Sequence, residues 1–311
     1  MWKKVLGFVV IIAAAVGLVV YGMGGNTKNV AVSDSGSVSE ASYYKELKKT
    51  PAGQQVLANM IIEKVLAKKF GDDVSQKSID KQYNKVKKQY GSSFATTLTS
   101  NGMTEATFRD SLYLQALEEA AMKGTTKFTN AALKKEYKNY HAKVNISIIT
   151  TDSESAAKDV IASLKKGKDF ATLAKSKSTD TTTKSAGGKM SAFDSTSTTV
   201  DSTVQKAAFK LKKGEYTTTP VKVTSSSTGT TTYYVIKMNS LDKKKSFAAM
   251  KAKLKNIIVT DKMSDTTTVQ AMVGDQLNKA KVTIKDSDLK SILSTYYEAA
   301  ESAKSSSSSS K

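Results

Sequence analysis

The chain opens with an apolar run from Val5 to about Met23, preceded by Lys3 and Lys4. A run of that length can cross a bilayer as a helix, and the two lysines in front of it put the N-terminus in the cytoplasm and the rest of the chain outside. The alternative for the same residues is a cleaved signal peptide, cut near Ala31-Val32-Ser33. Residues 1–24 are therefore expected to be a membrane anchor or signal segment. Residues 25–39 are small, polar and rich in Ser and Gly, the composition of a flexible tether.

From Tyr43 the apolar positions recur at helical spacing. One long stripe holds Val56, Leu57, Met60, Ile61, Val65 and Leu66 and stops at Phe70-Gly71. Ser75 reads as the N-cap of a second helix with Ile79, Tyr83, Val86 and Tyr90 on one side. Thr104 opens a third, with Phe108, Leu112, Leu114 and Leu117, and Thr129 a fourth, with Leu133 and Tyr137. At Val144 the pattern changes to a short β-branched strand, Val144–Ile149. Helices follow over 155–165, stopped by Gly167, and around Phe170, Leu173 and Ala174. Gly187-Gly188 marks a turn, Ala207–Glu215 a short helix stopped by glycine, and Thr219-Pro220-Val221 and Tyr233–Met238 two closing strands joined by the polar loop 224–232. Helical spacing resumes with Phe247, Met250, Leu254, Ile257 and Ile258, then over Val269–Leu277. Val282–Ile284 reads as a strand-like link, and a last helix carries Ile292, Leu293 and Tyr296 before the serine run 305–310. The fold class is α+β: helical segments at 40–140 and 241–300 flank a β/α unit at 141–240, and 301–311 is a disordered tail.

Composition narrows the chemistry. Among 311 residues, 48 Lys+Arg against 28 Asp+Glu leave a formal net charge of +20, which favours polyanionic partners. Arg109 is the only arginine, and base-reading proteins depend on arginine forks, so nucleic acid is not an expected partner. The absence of cysteine removes disulfides, thiolate chemistry and zinc-thiolate sites. A single histidine, His141, rules out a histidine pair or a histidine metal cage. There is no phosphate-cradling glycine loop, no H-E-x-x-H and no G-x-S-x-G, so neither cofactor nor metal is expected. Paired carboxylates such as Glu118-Glu119 read as ordinary helix surface.

Five pieces in the β/α unit occur in a telling order: Gly167-Lys168-Asp169-Phe170 leading to Leu173-Ala174-Lys175, then Ser178-Thr179-Asp180, then Gly187-Gly188 with Phe193, then Ala207–Glu215, then Pro220-Val221. Together they resemble the parvulin-type peptidyl-prolyl isomerase domain. With the helical flanks, the likeness after Ser39 is to the PrsA-type extracytoplasmic foldases of Gram-positive bacteria, in which such a domain is inserted into a helical chaperone domain. That resemblance implies a foldase or chaperone acting on unfolded exported polypeptides at the extracytoplasmic face of the cell membrane, and a homodimer formed by the helical domain. Such proteins usually carry a lipid-bearing cysteine where this chain has Met23, so the apolar helix itself becomes the anchor.

Parvulins resemble one another in two facing histidines, one in a Ser-His-Ile-Leu strand and one in a Tyr-His-Ile-Ile strand. Aligning Ile148-Ile149 with Ile-Leu puts Ser147 at the first position, and Tyr234 falls at the second. The family's substrate pocket maps onto Met190, Phe193, Val200, Val204 and Phe209, with two valines where methionine and phenylalanine are usual. The resemblance thus implies a domain that binds proline segments with weak or no isomerase activity. Because this catalysis works by binding, hydroxyls from Ser147 and Tyr234 leave a residual rate open. A second reading from charge alone is a basic surface protein that binds anionic cell-wall polymers.

Overall fold

The computed structural model describes residues 28–308. The expected membrane anchor lies outside them, and among the described residues no helix is long and apolar enough to cross a membrane. The chain forms two compact units: Phe128–Ile257 is one, and the chain up to Lys127 together with the chain from Ile258 onward is the other.

The second of these is helical. After a hairpin of β1 (Asn29–Ser33) and β2 (Gly36–Ser39) come α1 (Glu40–Leu47), α2 (Pro51–Phe70), α3 (Gln76–Tyr90), α4 (Phe94–Ser100) and α5 (Glu105–Thr125); α11 (Thr266–Lys279) and α12 (Ser294–Ser308) come from the far end of the sequence. Thr50 caps α2 by accepting from the Gly53 N–H, and Pro51 fills the first helical position. Along α2, Ala58, Ile62, Leu66 and Phe70 are buried at every fourth residue, and Leu117 of α5 and Leu277 of α11 are fully buried. Gly274 lets α11 and α12 touch, because a Cβ there would sit 2.0 Å from the Tyr296 carbonyl oxygen. Tyr83, Phe94 and Phe108 form an aromatic cluster joining α3, α4 and α5, with Phe94 edge-on to the other two. Lys48 at the end of α1 pairs with Asp286 and Asp288, so early and late segments are bonded within this unit.

Three expectations are corrected here. Residues 29–39 are a paired hairpin rather than a tether, although Val30, Val32 and Val38 remain exposed. The serine tail continues α12 to Ser308, where the Ser305 and Ser306 hydroxyls return to the Ser302 carbonyl and substitute for lost packing. Val282–Ile284 is not a strand; Lys281, at φ 52°, turns the chain out of α11.

The other unit contains α6 (Asn130–Asn139), β3 (Val144–Thr151), α7 (Glu154–Lys165), α8 (Phe170–Lys177), α9 (Ser202–Ala208), β4 (Val221–Thr224), β5 (Thr231–Leu241) and most of α10 (Phe247–Met263). Its antiparallel sheet has the order β3-β5-β4. Residues 188–193 bond to the free edge of β3, Ile148 donating to the Gly188 carbonyl and Met190 to that of Ile146. Gly188 is the only residue type that fits: its φ is +82°, and a Cβ would lie 2.2 Å from the Ile148 oxygen.

Side chains alternate across the sheet, so cross-strand partners share a face. Ile149 and Val235 face α7 and α8, where Ala157, Val160, Ile161, Leu164, Phe170 and Leu173 seal them. Ile146, Ile148, Ile236 and Met238 face the other way, towards Phe193, Val200 and α9.

Candidate functional site

The second face is less completely covered. Its centre is buried, but Met190, Phe209, Val221, Val223 and Tyr234 are only partly so. Asp201 sets the start of α9 by accepting from the Thr203 and Val204 N–H groups at 2.7 and 3.4 Å. Gln205 holds the preceding loop through the Ser197 and Val200 carbonyls at 2.8 and 2.9 Å. These bonds fix Val200 and Val204 in the core of this face. Phe193 meets Phe209 edge-on at 5.8 Å.

Polar groups gather where β3 ends. Thr150 sits opposite Tyr234; its N–H donates to the Ser178 hydroxyl at 3.1 Å, and its own hydroxyl lies 3.0 Å from that of Thr179. Asp180 accepts from the Thr183 N–H at 3.1 Å, keeping the 178–183 turn in place. Burial raises the pKa of the Tyr234 phenol, and the charges of Asp201 and Asp180 raise it further. The phenol therefore remains a neutral donor and acceptor beside an apolar surface. Such a patch can hold a peptide segment and hydrogen-bond to it.

Ser147 is not part of it. Register pairs Ser147 with Lys237, whereas Tyr234 pairs with Thr150, three positions further along β3. An odd offset puts the two side chains on opposite faces. Ser147 is buried on the α7–α8 side, where its hydroxyl accepts from Asn239 at 3.0 Å. Next to Thr150 on Tyr234's face of β3 comes Ile148, paired with Ile236. Reading Ser147 as the serine of the Ser-His-Ile-Leu motif, instead of its histidine, puts Ile148 at the first histidine position. Alternation carried this signal: Tyr234 and Ile236 share a face, and the counterpart on β3 must share it too.

His141 is exposed and lies outside the strand, its ring stacked on Phe209 at 4.5 Å and 10°. Burial against that ring, with Lys244 nearby, lowers its pKa. In the helical unit Glu118 corrects the surface reading: it is partly buried, and burial pushes its carboxyl up to about 7 from the ordinary 4.5. Among the described residues no cluster of three acidic, histidine or cysteine side chains could hold a metal ion.

Comparison with known proteins matches residues 147–240 to a rotamase family described as the PPIC-type PPIASE domain. A foldase protein PrsA of Pediococcus pentosaceus is 44% identical over 294 residues, covering 94% of this chain and 96% of that one. Foldase protein PrsA 1 of Lactobacillus johnsonii is 43% identical over 269 residues, 86% of this chain and 88% of its own. Among solved structures, foldase protein PrsA from Streptococcus pneumoniae aligns with a TM-score of 0.69 at 34% identity, covering 86% of this chain and 99% of that chain. The Lactococcus lactis foldase PrsA gives 0.63 at 34% identity, with 87% and 99% covered.

Proposed function

This chain belongs to the PrsA family of foldases, and from that premise we propose that it assists exported polypeptides as they fold outside the cell membrane, mainly by holding them, with a parvulin-type domain that isomerises weakly or not at all. The observation that carries the reading is that Ile148 and Tyr234 share one face of β3 and β5; the motif alignment assigns the imidazoles of the parvulin motifs to these two positions. Rotation about a prolyl bond crosses a barrier of about 18–20 kcal/mol without covalent chemistry, so the enzyme's task is to favour the twisted amide over the planar one. Isoleucine offers that amide no hydrogen bond. Tyr234 offers one hydroxyl, held neutral by its surroundings.

Holding requires apolar surface that is neither sealed nor loose. Along α2, Val56, Leu57, Ile61 and Val65 are partly exposed and Met60 is 49% exposed, a row that adaptable side chains suit. Anchoring by the leading apolar run would keep this surface beside the sites where polypeptides emerge.

Two assays on the full chain in detergent micelles test the reading. Aggregation of a refolding client should be suppressed, and should remain suppressed at high salt, since apolar contacts are not screened. Suppression that disappears with salt would favour the wall-polymer reading, which the net charge of +20 supports. In a protease-coupled proline-peptide assay, acceleration should stay below about tenfold, equivalent to about 1.4 kcal/mol off the barrier. A much faster rate would sink the weak-isomerase part alone.

A further inference from the structure

The face that carries Tyr234 at one end has a cavity of about 290 Å³ at the other, where β3 begins and β5 ends. Buried Val144 and Met238 line its floor. One wall is the flat stack of His141 on Phe209. Leu241 also lines the cavity, 52% exposed although it is a large aliphatic side chain at a strand end.

This cavity is pre-formed rather than a gap between loose segments. Buried Tyr140, also in its lining, donates its hydroxyl to Asp194 at 2.9 Å. Lys253 donates both to the Tyr140 oxygen at 2.8 Å and to Asp194 at 2.5 Å. A rigid lining reduces the ordering cost of binding.

The rim is basic. Lys138, Lys243 and Lys244 line the cavity against a single acid, Asp242, a local excess of two positive charges (3 − 1). Lys244 turns inward, its Nζ donating to the Tyr137 carbonyl and lying 4.3 Å from that ring's centre. Lys138 and Lys243 are exposed, and among the described residues no carboxylate pairs with either.

We propose that this cavity is a second peptide-binding site of the β/α unit, taking an extended segment that presents one aromatic or leucine side chain flanked by carboxylates. The volume is at the small end for ligand pockets and suits one large side chain. Phe209 and Leu241 contact that side chain, and Lys138 and Lys243 meet the flanking carboxylates, which supply orientation and selectivity. The neutral His141 imidazole adds one donor and one acceptor for the segment's backbone. The site shares Phe209 with the expected substrate pocket but otherwise lies away from Tyr234, and it needs no isomerase activity; it rests on the foldase reading only for the source of the segment.

The test uses the full chain in detergent micelles and a fluorescent peptide with the core Glu-Phe-Asp. Anisotropy should report saturable binding, at least about tenfold weakened when the acids are replaced by lysine or the phenylalanine by alanine. Binding should also weaken about tenfold in Lys138→Glu/Lys243→Glu, both exposed positions whose reversal leaves the fold intact. The protein has one histidine, so the His141 imidazole signal in NMR reads the site directly and should shift with the peptide. Equal affinity for the lysine peptide, or an unmoved His141 signal at saturation, would overturn the proposal. So would a polyglycerol phosphate that displaces the label while the alanine peptide binds as well as the parent, which would make the rim a polyanion site. Intact peptide binding beside failed suppression of client aggregation would reject the foldase reading and leave this one standing.

Discussion

Asp194 of the β/α unit and three partly buried acids of the helical unit have pKa values displaced in opposite directions. In the β/α unit Asp194 has Lys253, the Tyr140 hydroxyl and Thr196 around it. Despite opposition from burial, these bonds hold its carboxyl far below the usual range. In the helical unit Glu63 of α2 and Asp110 and Glu118 of α5 have no cation within ion-pair distance among the described residues. Burial raises all three, and Asp110 raises Glu63 further. Asp194 therefore favours the β/α unit when it is ionised, whereas Glu63, Asp110 and Glu118 favour the helical unit when they are protonated. At these sites the two units respond to pH in opposite directions.

The sharpest way to separate the units is to break one alone. Gly188→Val should cost the β/α unit at least about 4 kcal/mol, because it combines a left-handed backbone with a clash against the Ile148 carbonyl. Hydrogen exchange should then show lost protection in β3 and β5 while α2 and α5 keep theirs. Loss of protection in both would mean that the units do not unfold independently. Ile149→Ala, at a fully buried position on the sealed face, should cost about 3–4 kcal/mol in the same measurement.

Two smaller changes test the pH contrast itself. Asp194→Asn should destabilise the β/α unit by about 1–2 kcal/mol at pH 7. The folded-state pKa of Asp194 is depressed, so its contribution is present above the unfolded value near 3.8 and is lost as pH falls through the folded one. The variant and the parent should therefore converge in strong acid. Glu118→Gln should stabilise the helical unit by about 1 kcal/mol at pH 8. Here the folded-state pKa is raised, so the helical unit is favoured below about 4.5 and that advantage is lost as pH rises through about 7. Convergence at pH 4 and divergence at pH 8, read from denaturant midpoints, is the expected outcome. The same sign for both variants would erase the contrast.

The smallest effect tests which face is functional. Ser147→Ala should cost under about 1 kcal/mol, through the lost bond from Asn239, and should leave proline-peptide binding unchanged. Tyr234→Ala should weaken that binding. Titrations of the two variants against the same peptide decide it, and a reversed order would restore Ser147 to the site.

The order of elements was readable in the residues: helical spacing marks α2, alternation marks β3 and β5, and Ser75, Thr104 and Thr129 stand where caps are needed. The hairpin at 29–39 was hidden, because glycine, serine and single valines read as linker until paired across a turn. Helical continuation through Ser308 was hidden too, since serine is neutral in composition and commits only through bonds to its own backbone. Glu118 looked like surface beside exposed Glu119 because burial depends on what covers one side of α5.

Local sequence by itself determined that β3 has two unlike faces, because alternation is a property of the extended backbone and needs no partner. It also determined that no histidine pair could exist, since that follows from counting. Only the tertiary structure decided which face each residue joins. Pairing with β5 sets the register, a single-residue slip moves every side chain to the other side, and so Ile148 rather than Ser147 accompanies Tyr234.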